Sequence, residues 1–211
     1  DLLMMFVALE MLSLPLYLLS GLARYRRLLS HEAALKYFLL GALSSAIFLF
    51  GAALLYGYSG SFSFGAIDAA ISAPAQSDTL LVAGMVLVLV GLLFKLGAVP
   101  FHSWTPDVYQ GAPTPVTAFM AVCTKLAAIG ALLRIMFVAL GGARWDWQPV
   151  IAGISILTML VGAVDLAIYW TLKNRADNPG IAEGDMFLCN DPWVGGGLHQ
   201  SDVIVFQPVF H

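Results

Sequence analysis

Apolar residues gather in long runs along this chain rather than alternating with polar ones, and runs of that length predict helices that cross a membrane. A hydrocarbon layer about 30 Å thick takes roughly 20 mostly apolar residues of helix to span. Five segments meet that requirement: residues 2–22, 33–56, 79–101, 116–140 and 150–172. Residues 58–78 are rich in Ser, Gly and Ala, too polar to span, and read as a loop. Residues 141–148 read as a short turn that sets Trp145 and Trp147 at the level of the lipid headgroups. The first run carries Glu10 and Pro15. The chain opens on Asp1 inside this run, with no basic stretch and small-residue cleavage site ahead of it. The expectation is therefore no signal peptide, and an internal piece of a longer membrane protein.

Beyond Lys173 the pattern changes. Residues 174–184 are polar and turn-rich, with Asn178, Pro179 and Gly180 as a strong helix breaker. Residues 186–189 and 203–210 read as short strands, separated by Asn190-Asp191-Pro192-Trp193-Val194 and the run Gly195–Gly197. Two short strands do not make a stable domain in water by themselves. The expected fold is an all-α polytopic membrane protein of about five transmembrane helices, the third broken, with a short cytoplasmic tail containing β-strands. Residues 1–172 would be the transmembrane region and residues 173–211 the soluble tail.

Composition supports the division. The chain of 211 residues is 60% apolar and 11% charged, against about 45–50% and about 25% in soluble domains. So little charge excludes a disordered tail, an ordinary soluble enzyme and a nucleic-acid binder. Residues 1–172 hold eight basic and eight acidic groups, so the whole net charge of −3 lies in the tail. Arg24, Arg26 and Arg27 follow the first run, and Lys173 and Arg175 follow the fifth. Five crossings put both clusters on one side, which the positive-inside rule makes cytoplasmic. Cys123 and Cys189, one in each part, indicate neither a disulfide framework nor a zinc site.

Ionisable side chains within a membrane are costly and mark functional sites unless they escape to the interface. Lys36 lies four residues after Glu32, a favourable helix pair, and Arg134 lies near a helix end; both read as structural. Glu10, Lys95 and Lys125 lie deeper in their runs. Burial disfavours the charged form of such groups and an opposite charge alongside restores it, which is the behaviour a proton relay needs. The alternative is that their long side chains snorkel to the interface or only bind helices together. Lys95 is followed by Gly97, Pro100, Phe101 and His102, then by Pro106, Gly111, Pro113 and Pro115. Proline inside a helix removes a hydrogen bond and clashes with the preceding turn. The third helix is therefore expected to break just after a buried lysine, as in transporters where freed backbone groups line an ion site. Pro100 as a plain helix end, and His102 as an interfacial histidine, stay open at this point.

The run Leu93-Phe94-Lys95-Leu96-Gly97-Ala98-Val99-Pro100-Phe101-His102-Ser103-Trp104-Thr105-Pro106-Asp107, followed by Gly111-Ala112-Pro113-Thr114-Pro115-Val116-Thr117-Ala118, closely resembles the proton-conducting antiporter-like subunits of respiratory complex I, the proton-pumping NADH:quinone oxidoreductase. Val122-Cys123-Thr124-Lys125-Leu126-Ala127-Ala128 continues the resemblance, as do Ala8-Leu9-Glu10-Met11-Leu12-Ser13-Leu14-Pro15-Leu16-Tyr17 and the stretch from Glu32 to Ala42. Residues 1–163 look most like the bacterial subunit N type, the counterpart of mitochondrial subunit 2. That family has about fourteen helices in two inverted repeats, each with a broken helix. The resemblance implies that Glu10 is the acidic partner of Lys95 on the broken helix. It also implies that Lys125 is the next lysine of a central hydrophilic axis; His102, from the pattern alone, is a further relay candidate. It implies no cofactor on this chain; NADH, flavin, iron–sulfur clusters and quinone belong to other subunits. The expected partners are other membrane subunits and the lipid bilayer, without nucleic acid.

The tail carries a second resemblance. Gly180-Ile181-Ala182-Glu183-Gly184-Asp185-Met186-Phe187-Leu188-Cys189-Asn190-Asp191-Pro192-Trp193, with His199, Asp202 and Pro208-Val209-Phe210, is similar to the hydantoinase B and oxoprolinase family. From about residue 165 this would be a short part of a much longer soluble enzyme. Asp191, His199 and Asp202 are its candidate metal ligands, since carboxylate oxygen and imidazole suit divalent ions. Three readings follow: a proton-translocating subunit fragment, a hydantoinase-type fragment fused to a membrane segment, and a chimera without function.

Overall fold

The computed structural model describes residues 1–23, 27–73 and 79–175 and the two strand segments 187–189 and 204–206, with side chains described as far as residue 161. The chain divides into two compact units, Asp1–Ile151 and Ala152–His211.

The first unit is helical. Helix α1 (Leu2–Ser20) starts at Asp1, whose carboxylate accepts from the Met4 backbone N–H at 2.8 Å. That bond satisfies one of the four N–H groups a helix start leaves free. Pro15 lies inside α1 and the helix runs through it. Helix α2 (Arg27–Ser59) is longer at both ends than its apolar run. Helix α3 (Phe64–Ile71) falls in the segment expected to be loop. Phe64 and Ile67, one turn apart, are its buried residues, so a short amphipathic helix sits within a stretch whose overall composition is polar. Helix α4 (Thr79–Leu96) follows, then a turn and helix α5 (Trp104–Gly111).

Helices α6 (Thr114–Phe119) and α7 (Lys125–Arg134) form one continuous path of 26 residues to Ala139, with π-helical turns at Met120–Thr124 and Ile135–Ala139. Four stretches are long and apolar enough to cross a membrane among the described residues: α1, α2, α4 and residues 114–139. The fifth expected crossing falls on helix α8 (Arg144–Arg175), which passes from one compact unit into the other; the side chains of its second half lie outside the described residues.

The tryptophans near the start of α8 part ways. Trp145 is exposed, as an interfacial residue would be, but Trp147 is buried and donates from Nε1 to the Leu140 carbonyl at 2.9 Å. Residues 144–148 are already helix and not turn, and this places the two rings on different faces. In the second unit, β1 (Phe187–Cys189) pairs antiparallel with β2 (Ile204–Phe206), Leu188 opposite Val205.

Packing follows membrane rules more than soluble ones. The outward face of α1 is apolar, with Met4, Met11 and Leu18 about 70% exposed or more. Between α2 and α4 the contacts are small. A Cβ on Gly51 would fall 2.7 Å from the Val88 nitrogen, and one on Gly91 would fall 2.6 Å from Phe48 Cβ. Lipid tails are as apolar as Leu, so helices gain by close backbone approach rather than by expelling water, and small residues permit it. The Ser44 hydroxyl donates across this seam to the Gly91 carbonyl at 3.0 Å.

Candidate functional site

The end of the third crossing is built by the residues after Lys95. Gly97 takes a left-handed backbone (φ +68°) that residues with a Cβ rarely adopt. Its N–H donates to the Phe94 carbonyl and the Ala98 N–H to the Leu93 carbonyl, both at 3.0 Å. Those two bonds are a Schellman closure, with Gly97 just past the helix end and Lys95 in the last turn. A cation there also faces the negative end of the helix dipole. The Trp104 ring then folds back, its Nε1 donating to the Phe94 carbonyl at 3.1 Å. It stacks between Tyr37 (5.1 Å between ring centres) and Phe94 (5.7 Å). The Leu93 and Phe94 carbonyls at the helix end are thereby bonded, as backbone in a bilayer favours.

Helix α5, after the turn, is tied to α2 by one ion pair, to a lysine that also pairs within α2. Lys36 Nζ lies 2.6 Å from Asp107 and 2.7 Å from Glu32. Sequence spacing pointed to Glu32 alone; Asp107 comes from a separate element and has no signal in the local pattern.

Lys95 points at α1. Its Nζ lies 2.8 Å from Glu10 Oε1 and donates to Ser13 Oγ at 3.0 Å. Both charged side chains are less than one-fifth exposed, 14% for Lys95 and 19% for Glu10. The Ser45 hydroxyl, from α2, donates to the same Glu10 oxygen. Ser13 in turn donates to the Leu9 carbonyl at 2.8 Å. Three helices thus converge on one ion pair. Sequence reasoning missed both serines. Ser13 had a signal, three residues after Glu10 and hence on the same helix face; Ser45 had none.

Lys125 occupies a different setting. It follows the π-turn Met120–Thr124, where the Thr124 hydroxyl donates to the Met120 carbonyl at 2.5 Å. π-turns of this kind widen a helix locally and often mark functional positions. The Lys125 ammonium lies 5.9 Å from the centre of the Tyr109 ring, within cation–π range. Among the described residues no carboxylate is in ion-pair range of it. It does lie close to the break, since a Cβ on Gly97 would be 3.5 Å from Lys125 Nζ and 2.9 Å from Thr105 Oγ1. The structure therefore brings Glu10 and Lys95 into contact and sets Lys125 beside the turn that follows Lys95.

His102 sits in that turn. Its Nδ1 is buried without a hydrogen-bond partner among the described residues, and no hydrogen bond joins its ring to Lys95 or Lys125. Asp191, His199 and Asp202 lie outside the described residues. Among the described residues no cluster of three or more metal-ligating side chains occurs.

Comparison with known proteins gives two family matches. The model for the NADH:quinone oxidoreductase/Mrp antiporter transmembrane family matches residues 1–168. The model for the hydantoinase B/oxoprolinase family matches residues 147–211. The two matches overlap over residues 147–168 and so do not meet at a single position. The chain is 67% identical over 188 residues to NADH-quinone oxidoreductase subunit N of Parafrankia sp. (strain EAN1pec), covering 89% of this chain and 36% of that protein. It is 68% identical over 188 residues to the subunit N of Rhodococcus opacus (strain B4), covering 89% and 35%. Among solved structures, a chain of respiratory complex I from Thermus thermophilus with bound aureothin aligns with a TM-score of 0.63 and 49% identity, over 79% of this chain and 34% of that one. The chain spans about a third of the length of the curated relatives it matches.

Proposed function

Because the chain belongs to the NADH:quinone oxidoreductase/Mrp antiporter transmembrane family, we propose that it is part of a subunit N that relays protons through a bacterial inner membrane along Glu10, Lys95 and Lys125. The observation that carries this is the Glu10–Lys95 ion pair at 2.8 Å, formed in the last turn of a membrane-length helix. An ammonium in low dielectric keeps its proton while a carboxylate sits against it and yields it when that carboxylate is neutralised or moves away. A change of charge arriving from a neighbouring subunit would loosen the Glu10–Lys95 contact. Lys95 would then give up its proton and become a neutral amine, and Lys125, beside the same turn, would take the proton and the charge. The energy for that change is the quinone reduction performed elsewhere in such a complex. The redox cofactors would be on other subunits, and no redox step is assigned to this chain. Its partners would be the remaining membrane subunits and lipid, with the ends at Arg27 and Lys173 facing the cytoplasm.

The test is Lys95→Ala in the complete subunit within the assembled complex. NADH-driven proton uptake into membrane vesicles is expected to fall strongly while the complex still assembles. Unchanged uptake would sink the assignment.

A second reading applies to the tail, and the family match over residues 147–211 favours it. Here residues 173–211 are a hydantoinase B-type piece joined to the membrane segment, with Asp191, His199 and Asp202 as candidate metal ligands. One sequencing read of source DNA across the codons for residues 160–174, with long flanks, decides whether the join exists. A continuous product makes the tail part of the protein and calls for an assay of cyclic-amide hydrolysis with a partner subunit. Failure to obtain one removes the tail from the functional account.

A further inference from the structure

The relay above leaves one buried group beside Lys95 unused. Tyr17 is 5% exposed, and its buried hydroxyl makes no well-formed hydrogen bond among the described residues, with the Ser13 side chain able to interact with it. A polar group held so in low dielectric is costly unless something bonds to it. The ring is fixed edge-on against Tyr37, 4.6 Å between centres. The position of its oxygen depends on Gly41, since a Cβ there would collide with Tyr17 Oη and fall 2.8 Å from Cζ. Tyr17 and Gly41 both line a cavity shared with Ser13, Lys95, Trp104 and Thr124, in which the centre of a water molecule has about 20 Å³ to occupy. One water needs on the order of 10–15 Å³ by that measure, and two to four polar partners.

The hydrogen-bonding capacity left on the walls suits that occupant. Lys95 has three N–H donors, of which one goes to Glu10 and one to Ser13. The Thr124 hydroxyl spends its hydrogen on Met120, and Ser13 spends its own on Leu9, leaving acceptor capacity on both oxygens. The Trp104 N–H is spent on Phe94. The cavity therefore presents one remaining donor on Lys95, acceptors on Ser13 and Thr124, and a Tyr17 hydroxyl able to do either. A water molecule accepts from the first, donates to the oxygens and satisfies the last.

We propose that Tyr17, seated over Gly41, holds a single water against the Lys95 ammonium, and that this water is the way off Lys95 for a proton that does not return to Glu10. The water takes the Lys95 proton as it releases one of its own, and that proton ends on Lys125, a neutral amine before the step, which lies beside the Gly97 turn. Lys95 is left as a neutral amine, and the water ends the step unchanged. Tyr17 is a positioning residue in this scheme. The inference rests on the relay reading.

The experiment is Tyr17→Phe in the complete subunit within the assembled complex, beside Lys95→Ala, read by NADH-driven proton uptake, by its pH profile and by thermal melting. Tyr17→Phe removes a hydroxyl with no well-formed hydrogen bond beyond the reach of Ser13, so a purely structural role predicts little change in melting and unchanged uptake. The expected result is melting retained and uptake slowed about tenfold or more, with an altered pH profile. Gly41→Ala, which crowds the hydroxyl, is expected to act the same way. Normal uptake in Tyr17→Phe with loss in Lys95→Ala overturns the water site and leaves the relay standing. Normal uptake in both overturns the relay itself. Should Tyr17→Phe lose melting and uptake together, a high-resolution map of the unaltered complex decides: a water peak bonded to Lys95 and Tyr17 supports the site, and protein alone in that space overturns it.

Discussion

Lys95 ends the last turn of α4 with a carboxylate at 2.8 Å and a hydroxyl at 3.0 Å. Lys125 instead begins α7 behind a π-turn, with an aromatic face at 5.9 Å and, among the described residues, no counter-charge. The two residues share a type and a membrane setting, and both touch the segment around Gly97. They differ in what holds their charge. In the proposed relay Lys95 would answer to Glu10, releasing its proton when that pair is disturbed, whereas Lys125, beside an aromatic face and without an ion-pair partner among the described residues, would take up what arrives. A relay needs one site of each kind, because two sites bound equally to counter-charges would hold their protons equally well.

The largest effect should come from removing the counter-charge. Glu10→Ala strands the Lys95 ammonium in a space that is less than one-fifth open, and breaking a buried pair by removing one partner costs about 3 kcal/mol or more. Unfolding of the purified complete subunit, followed by heat or denaturant, should show it. Glu10→Gln, which keeps a hydrogen-bonding oxygen, should lose less, and equal losses would mean that charge is not what matters there.

Gly97→Ala comes next. The left-handed backbone costs a residue with a Cβ roughly 1–2 kcal/mol, and the new methyl would stand 2.9 Å from Thr105 Oγ1 and 3.5 Å from Lys125 Nζ. Stability should fall by about that amount, and proton uptake by the complex should fall further than stability explains. Loss of stability alone would show that the break serves the fold and not the contact between the two lysine sites.

Lys125→Leu should be gentler on stability than the corresponding change at Lys95. It forfeits a cation–π contact worth about 0.5–1 kcal/mol and strands no carboxylate. If Lys125→Leu destabilises as much as Lys95→Leu, then Lys125 has a strong partner and the contrast between the two sites fails.

The smallest effect belongs to Lys36. Its ammonium bridges Glu32 and Asp107 with side chains 41–56% exposed, and exposed pairs contribute little and are screened by salt. Lys36→Ala should leave melting almost unchanged in high salt. A clear loss that persists there would make the α2–α5 link a structural requirement of the break.

Much of this was legible along the chain, for identifiable reasons. Runs of about twenty apolar residues specify crossings by length alone. Gly97 and Pro100, following a lysine near the end of such a run, specify the break, since only a glycine closes a helix cheaply in the left-handed region. The short helix Phe64–Ile71 was hidden because two well-placed apolar residues were outweighed by the Ser and Gly around them. The tryptophans at 145 and 147 looked alike in sequence and separated only when the helix began early enough to turn one inward. The π-turn before Lys125 left no local mark, for its residues are ordinary helix formers and the extra residue is accommodated by packing.

The sequence by itself determined that this is a membrane chain, roughly where its crossings lie and where the third one stops, because bilayer thickness and glycine stereochemistry act on neighbours along the chain. Its motifs also made Glu10, Lys95 and Lys125 the residues to follow. Only the tertiary structure decided that Ser45 joins the Glu10–Lys95 pair, that Asp107 reaches Lys36, and that the Tyr17 hydroxyl lies over Gly41 beside a cavity of water size. Those contacts join residues tens of positions apart on different helices. Their distances follow from how helices seat against one another, through glycines, stacked rings and a π-turn, and no local pattern encodes that seating.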